Sequence, residues 1–159
     1  RLLALRHLAG GAAAIAATVA VHGLVPLPKP GACHGADPCL VWIGPTECML
    51  LTANGAMADG VLHALAPGRE RLACAVDQSA GCVVLEMLGH GVADVLPRLL
   101  DASAVPQRAG QGSRARLMDI SALVIRLEPD RVLLAVDRVH GVYATQWITY
   151  ALQAHDCST

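Results

Sequence analysis

Apolar residues fall in short blocks separated by turn-forming residues, and the spacing inside each block predicts its element. Residues 2–5 are an unbroken apolar run that reads as a short strand, and Gly10-Gly11 breaks it. Residues 12–22 read as an Ala-rich helix. Pro26, Pro28 and Pro30 with Gly31 mark a loop, because proline has no N–H to give to a helix or sheet interior. Residues 39–43 and 48–52 are two apolar runs joined by Gly44-Pro45-Thr46-Glu47, which predicts a hairpin. A short helix follows over residues 56–65, terminated by Pro67-Gly68. Residues 71–76 and 82–88 read as strands. Gly89 and Gly91 open a helix to about Leu100, with Pro97 expected to kink it or end it early. Residues 101–113 are expected to be a loop. Residues 115–120 and 122–127 are extended, and Glu128-Pro129-Asp130-Arg131 turns the chain into a strand over residues 132–136. The last helix begins near Val139 and ends near Ala154. Val139, Tyr143, Trp147 and Tyr150 share one face of it, with Ala144, Ile148 and Leu152 beside them, so the apolar arc is wide.

The blocks repeat. Leu40-Val41-Trp42-Ile43 matches Leu123-Val124-Ile125-Arg126 at an offset of 83 residues (123 − 40), which sets Glu47 against Asp130. A helix follows in both halves. The expected fold is therefore α+β: one domain over residues 1–159, in two strand–turn–strand–helix units (about 1–70 and 71–159), with helices packed on antiparallel sheet.

Composition adds a second constraint. Charged residues are 16% of the chain, against about 25% in an ordinary soluble domain. The apolar class reaches 54% and mean hydropathy is +0.47, so surplus apolar surface is expected to meet a partner protein or a membrane. Residues 8–25, flanked by Arg1 and Arg6, imitate a signal peptide or anchor, but no A-x-A-like cleavage site follows and alanine dominates the run. A buried helix is the better reading. Net charge is -1, aromatics are 3% and Phe is absent, which argues against a single-stranded nucleic-acid binder. The cysteines are Cys33, Cys39, Cys48, Cys74, Cys82 and Cys157; no CxxC pair occurs. Cys33-His34 with Cys39 is the one grouping with metal-ligand chemistry, and no second pair completes it. Reduced thiols in a cytoplasmic protein are expected.

Three segments carry a family resemblance. Trp42-Ile43-Gly44-Pro45-Thr46-Glu47-Cys48-Met49-Leu50-Leu51 resembles a hairpin of the gamma subunit of heterotetrameric sarcosine oxidase, with Thr46 and Cys48 where that family has Asp and Trp. Val76-Asp77-Gln78-Ser79 is similar to its Val-Asp-x-Ser segment. Val136-Asp137-Arg138, followed by Tyr143 and Trp147, is similar to its closing strand and helix, with Val139 where a Ser is common. N-methylglutamate dehydrogenase subunits look alike at this level. The resemblance implies a fold related to the folate-binding domain of aminomethyltransferase. It also implies a non-catalytic accessory subunit of a flavoenzyme that demethylates an N-methyl amine, giving formaldehyde or methylene-tetrahydrofolate. The implied partners are a large alpha subunit with a folate-binding domain, a flavin-bearing beta subunit and a small zinc-binding delta subunit. FAD, FMN, NAD, zinc and tetrahydrofolate would sit on those subunits, and none on this chain.

No catalytic, cofactor-binding or metal-ligating residue is expected here. Asp77 and Ser79 lack a positioned His and are expected to accept local backbone N–H bonds in a turn. Trp42, Tyr143 and Trp147, with Tyr150, are expected to anchor core or interface. Glu47 and Asp130 are expected to set hairpin geometry. Gly89-His90-Gly91 lacks a nucleotide fingerprint, and Arg108, Arg114 and Arg116 read as a solvated loop or subunit contact. The alternatives are a stand-alone folate-binding or aminomethyl-transfer protein, for which the chain is short, and a small membrane-associated protein anchored by residues 8–25.

Overall fold

A computed structural model describes residues 1–24, 26–69 and 71–156; Val25, at the end of the first apolar run, and Cys157 lie outside the described residues. The chain divides into two compact units, Arg1–Ala80 and Gly81–Thr159.

The first unit contains β1 (Leu2–His7), α1 (Ala12–Ala20), β2 (Cys33–His34), β3 (Cys39–Gly44), β4 (Glu47–Leu51), α2 (Gly55–Ala64) and β5 (Ala73–Asp77). Its antiparallel sheet has the order β2-β3-β4-β1-β5. One face, carrying Leu3, Leu5, Leu40, Leu50, Ala73 and Ala75, packs with Ile15 and Val19 of α1 and with Met57, Ala58 and Val61 of α2. Leu2, Ala4, Val41 and Met49 on the opposite face are buried too. Strands buried on both faces need no polar alternation, which is why residues 2–5 and 48–51 read as unbroken apolar runs. The break after β1 is steric. A Cβ on Gly11 would stand 2.1 Å from the Leu72 carbonyl oxygen, so only glycine lets the chain pass there.

The second unit contains β6 (Cys82–Leu88), α3 (Val92–Leu99), β7 (Gln111–Leu117), β8 (Ile120–Glu128), β9 (Arg131–Asp137) and α4 (Gly141–Asp156), with 3-10 turns at Ala102–Ala104 and Arg138–His140. Its antiparallel sheet has the order β6-β9-β8-β7. Val92, Val95, Leu96 and Leu99 of α3 share a core with Val124, Val132, Leu134 and Val136 of the sheet and with Ala144, Ile148 and Ala151 of α4. Pro97 does not stop α3, which continues to Leu99.

Each unit repeats the order strand, helix, three strands, helix, and β5 is an addition to the first. Both central hairpins carry a register irregularity at matching places, Trp42/Gly44 and Arg126/Glu128. This fixes the offset at 84 residues (126 − 42) and superposes Pro45 on Pro129. The expected offset of 83 is one short, so Glu47 corresponds to Arg131 and not to Asp130. Apolar runs tolerate a one-residue slip in a sequence comparison; a ladder register does not.

Three further differences have physical causes. β5 pairs with β1, so the first unit extends past residue 70. Gln111, Gly112 and Ser113 carry no apolar signal, yet they pair with Arg126, Ile125 and Val124, so β7 starts inside the expected loop. The extended run over residues 115–120 is cut by a hairpin turn in which Met118 takes φ 51°, a conformation that its side chain does not advertise. The apolar run from Leu8 yields only the nine-residue α1, with Ile15 and Val19 in the core. Among the described residues no helix is long and apolar enough to cross a membrane.

Candidate partner-binding surface

The last helix has two apolar sides. Ala144, Ile148 and Ala151 form the buried line, and Leu152, expected beside the first two, is instead exposed. The aromatic stripe runs along the outer side. Tyr143 and Trp147 meet edge-on at 6.3 Å between ring centroids, and Trp147 and Tyr150 at 5.9 Å. Tyr143 and Trp147 are half-buried against the core, while Tyr150 is 64% exposed. With Gln146 the three rings line a shallow hollow. Val139 (84% exposed) stands in the 3-10 turn before the helix and not on the helix itself; Val142 (73%) follows in the first turn. Val83, Arg138, Gly141, Val142, Thr145 and Gln146 line a second hollow beside the first. β6 is an edge strand with Val84 and Leu88 exposed. Val142 and Tyr150 flank Gln146 on the outer side of α4, an apolar grouping of the kind found in interface cores, whereas Val84 and Leu88 lie on the other face of β6 with Glu86, paired to Arg131, between them.

Asp77 and Ser79 close the first sheet. Ser79 N–H donates to Asp77 Oδ1 at 2.8 Å, and Leu2 N–H donates to Ser79 Oγ at 2.9 Å, tying the start of β1 to the end of β5. Arg1 reaches both Asp77 and Asp59. Hydrogen bonding from Ser79, hydroxyl first and then N–H, holds the Asp77 carboxyl below the usual carboxylate range, with Arg1 adding to the effect. Glu47 accepts from Arg6 Nε at 3.3 Å across β1 and β4. Trp42 is half-buried, opposite Cys48, with its backbone N–H donating to the Ala32 carbonyl. The structure thus brings together Asp77 with Ser79, and Tyr143 with Trp147, while Trp42 and Glu47 flank one hairpin.

Three further polar groupings occur among the described residues. An open hollow of about 740 Å³ in the first unit is lined by Arg6, His7, Glu47, Arg71 and Cys74 among others, and Arg6 there already faces Glu47. At the start of α3, Val92 N–H donates to Gly89 O, and Asp94 places a carboxylate in the first turn, which disfavours an anion. Arg114 and Arg116 share a shallow depression with Asp101 and Asp119, so its charge is mixed. Among the described residues no group of three His, Cys, Asp or Glu is arranged to hold a metal.

Arg126 was hidden from sequence reasoning inside an apolar strand. It is only 6% exposed; it donates from Nη1 to Pro106 O and from Nη2 to Pro129 O, both at 2.8 Å. No carboxylate accompanies it in those bonds, and its Nε has no hydrogen-bond partner. A charge in an apolar run was the available signal.

Fold and surface together define a two-unit antiparallel α+β protein whose last helix carries an aromatic stripe that is half-buried at Tyr143 and Trp147 and exposed at Tyr150. Ten chains of solved structures match it, among them a chain of the heterotetrameric sarcosine oxidase from Corynebacterium sp. U-96, solved in complex with pyrrole 2-carboxylate. That match has a TM-score of 0.80 and 25% sequence identity, and covers 96% of this chain and 79% of that one. No protein-family model and no curated protein sequence matches.

Proposed function

We propose that this chain is a non-catalytic accessory subunit, of the gamma type, in a heterotetrameric flavoenzyme of the sarcosine oxidase kind. The single observation that carries the reading is the likeness to a chain of such an enzyme, which spans 96% of this chain. The exposed stripe of Val139, Val142 and Tyr150 supports it, because a face of this chemistry is stabilised when a partner removes it from water. On this reading the fold is a relative of the aminomethyltransferase folate-binding domain that has kept the architecture and not the ligand. Oxidation of an N-methyl amine, with its flavins, nicotinamide cofactor, zinc and folate, belongs to the partner subunits. This chain supplies packing surface to them.

Native mass spectrometry tests the proposal. The chain is co-expressed with the large and the flavin-bearing subunits of a sarcosine oxidase-type enzyme from the same genome. Recovery in a one-to-one ratio with both is the expected result. A chain that stays apart from them, or that carries stoichiometric flavin or zinc when isolated, refutes the reading.

A further inference from the structure

Two of the cysteines stand together on the edge of the first sheet. In the ladder between β2 and β3, Cys33 lies opposite Val41, and Cys39 is two residues from Val41 on the same face. Diagonal neighbours of this kind are about 7–8 Å apart in a regular ladder, within reach of one another's side chains. Cys33 is 5% exposed and Cys39 is fully buried. β2 is two residues long and pairs on one side only, so it is the part of the sheet that opens most easily. The other described cysteines are isolated by register: Cys48 faces Leu5 and Trp42, Cys74 faces Arg6, and Cys82 faces Asp137.

We propose that Cys33 and Cys39 are a redox-active dithiol that a peroxide closes to a disulfide. The chemistry divides between them. Cys33, on the two-residue edge strand and slightly exposed where Cys39 is fully buried, supplies the attacking sulfur; the pKa directions agree with that order, the neighbouring Cys39 lowering Cys33, and Cys33 together with burial raising Cys39. Its sulfur attacks one oxygen of hydrogen peroxide, the O–O bond breaks, and hydroxide leaves; Cys33 becomes a sulfenic acid. Cys39 sulfur then attacks Cys33 sulfur, the S–O bond breaks, and its proton leaves with the hydroxyl as water. Two thiols and one peroxide give one disulfide and two waters. The product is a ring over residues 34–38 that fastens β2, and the proline-containing segment before it, to β3. Disulfide geometry asks for closer Cα positions than the regular diagonal offers, so a shift of β2 accompanies closure.

The test uses the full chain and hydrogen peroxide as the only oxidant. After peroxide, free thiols are alkylated and the protein is digested without reduction by a protease that cuts before Asp37, which separates the two cysteines. The expected product is a Cys33–Cys39 linked peptide that dithiothreitol abolishes, formed at peroxide doses that leave Cys48 alkylatable. In Cys33→Ser, Cys39 should stay alkylatable at the rate of Cys48. In Cys39→Ala, Cys33 should oxidise to the sulfenic acid, trapped by dimedone. The wild-type readout needs no substitution, so it decides even if a variant fails to fold. Two outcomes overturn the proposal: both thiols remaining alkylatable at doses that oxidise Cys74 and Cys82, or Cys33 linking to Cys157 or to a second chain.

Discussion

Arg126 and Asp77 show how single residues hold this fold. The Arg126 guanidinium spans the Pro106 and Pro129 carbonyls, and burial makes an unmet carbonyl expensive. Arg126→Met keeps the aliphatic stem and removes both donors; urea unfolding should show a loss of about 1–3 kcal/mol, and Arg126→Lys should recover only part of it. Asp77 contributes through its charge. Its folded pKa lies below the value near 3.9 of an unfolded chain, so its stabilisation is present above that pH and disappears as pH falls through the folded value. The side chain is 28% exposed, which limits the effect to about 0.5–1 kcal/mol. Asp77→Asn should therefore lower the urea midpoint at neutral pH and match the wild type in acid. An acid-side difference as large as the neutral one would mean that the carboxylate charge is not what matters.

At the scale of the element, helix ends and helix faces carry separate information. Asn54 caps α2: its side chain accepts from Met57 N–H at 3.0 Å, and Asn54→Ala should cost about 1 kcal/mol in thermal or urea unfolding. In α4 the small residues Ala144 and Ala151 face the core with Ile148, and the large aromatics face outward or sideways. That inverts the usual assignment of the largest apolar side chains to the inside. Ala144→Leu should overpack the core by about 1–3 kcal/mol, whereas Tyr150→Ala should change stability of the isolated chain by no more than about 0.5 kcal/mol.

Across the whole molecule, the apolar excess divides into two parts. One part fills strands that are buried on both faces, which the composition alone does not distinguish from exposed surface. The other part remains exposed at Val139, Val142 and Tyr150 on the outer side of α4, and separately at Val84 and Leu88 on the far face of β6. If this face meets partner subunits, the double variant Val142→Ser with Tyr150→Ala should fold normally by circular dichroism. It should also bind them at least about tenfold more weakly in titration calorimetry, a loss of about 1.4 kcal/mol or more. Unchanged affinity would move the interface elsewhere on the chain.

The sequence by itself determined the elements whose signal is local. The central hairpins are legible because a proline-containing turn separates two apolar runs, the first three helices because glycine or proline bounds them, and the last because of its apolar period; the Asn54 cap of α2 was missed. The turn bond from Ser79 N–H to Asp77 is local in the same sense, and so is the aromatic spacing of α4, whereas the bond from Leu2 N–H to the Ser79 hydroxyl spans the sheet and was not legible. What only the tertiary structure decided is whatever depends on a partner strand or an opposite face. Gln111–Leu117 becomes β7 over its full length because β8 lies beside it. Cys33-His34 becomes a strand because β3 accepts it, which is also what sets Cys33 beside Cys39. The repeat offset resolves to 84 because hydrogen-bond registers permit no slip. Which side of α4 is core follows from the space left above β9 and α3, where alanine fits and tyrosine does not.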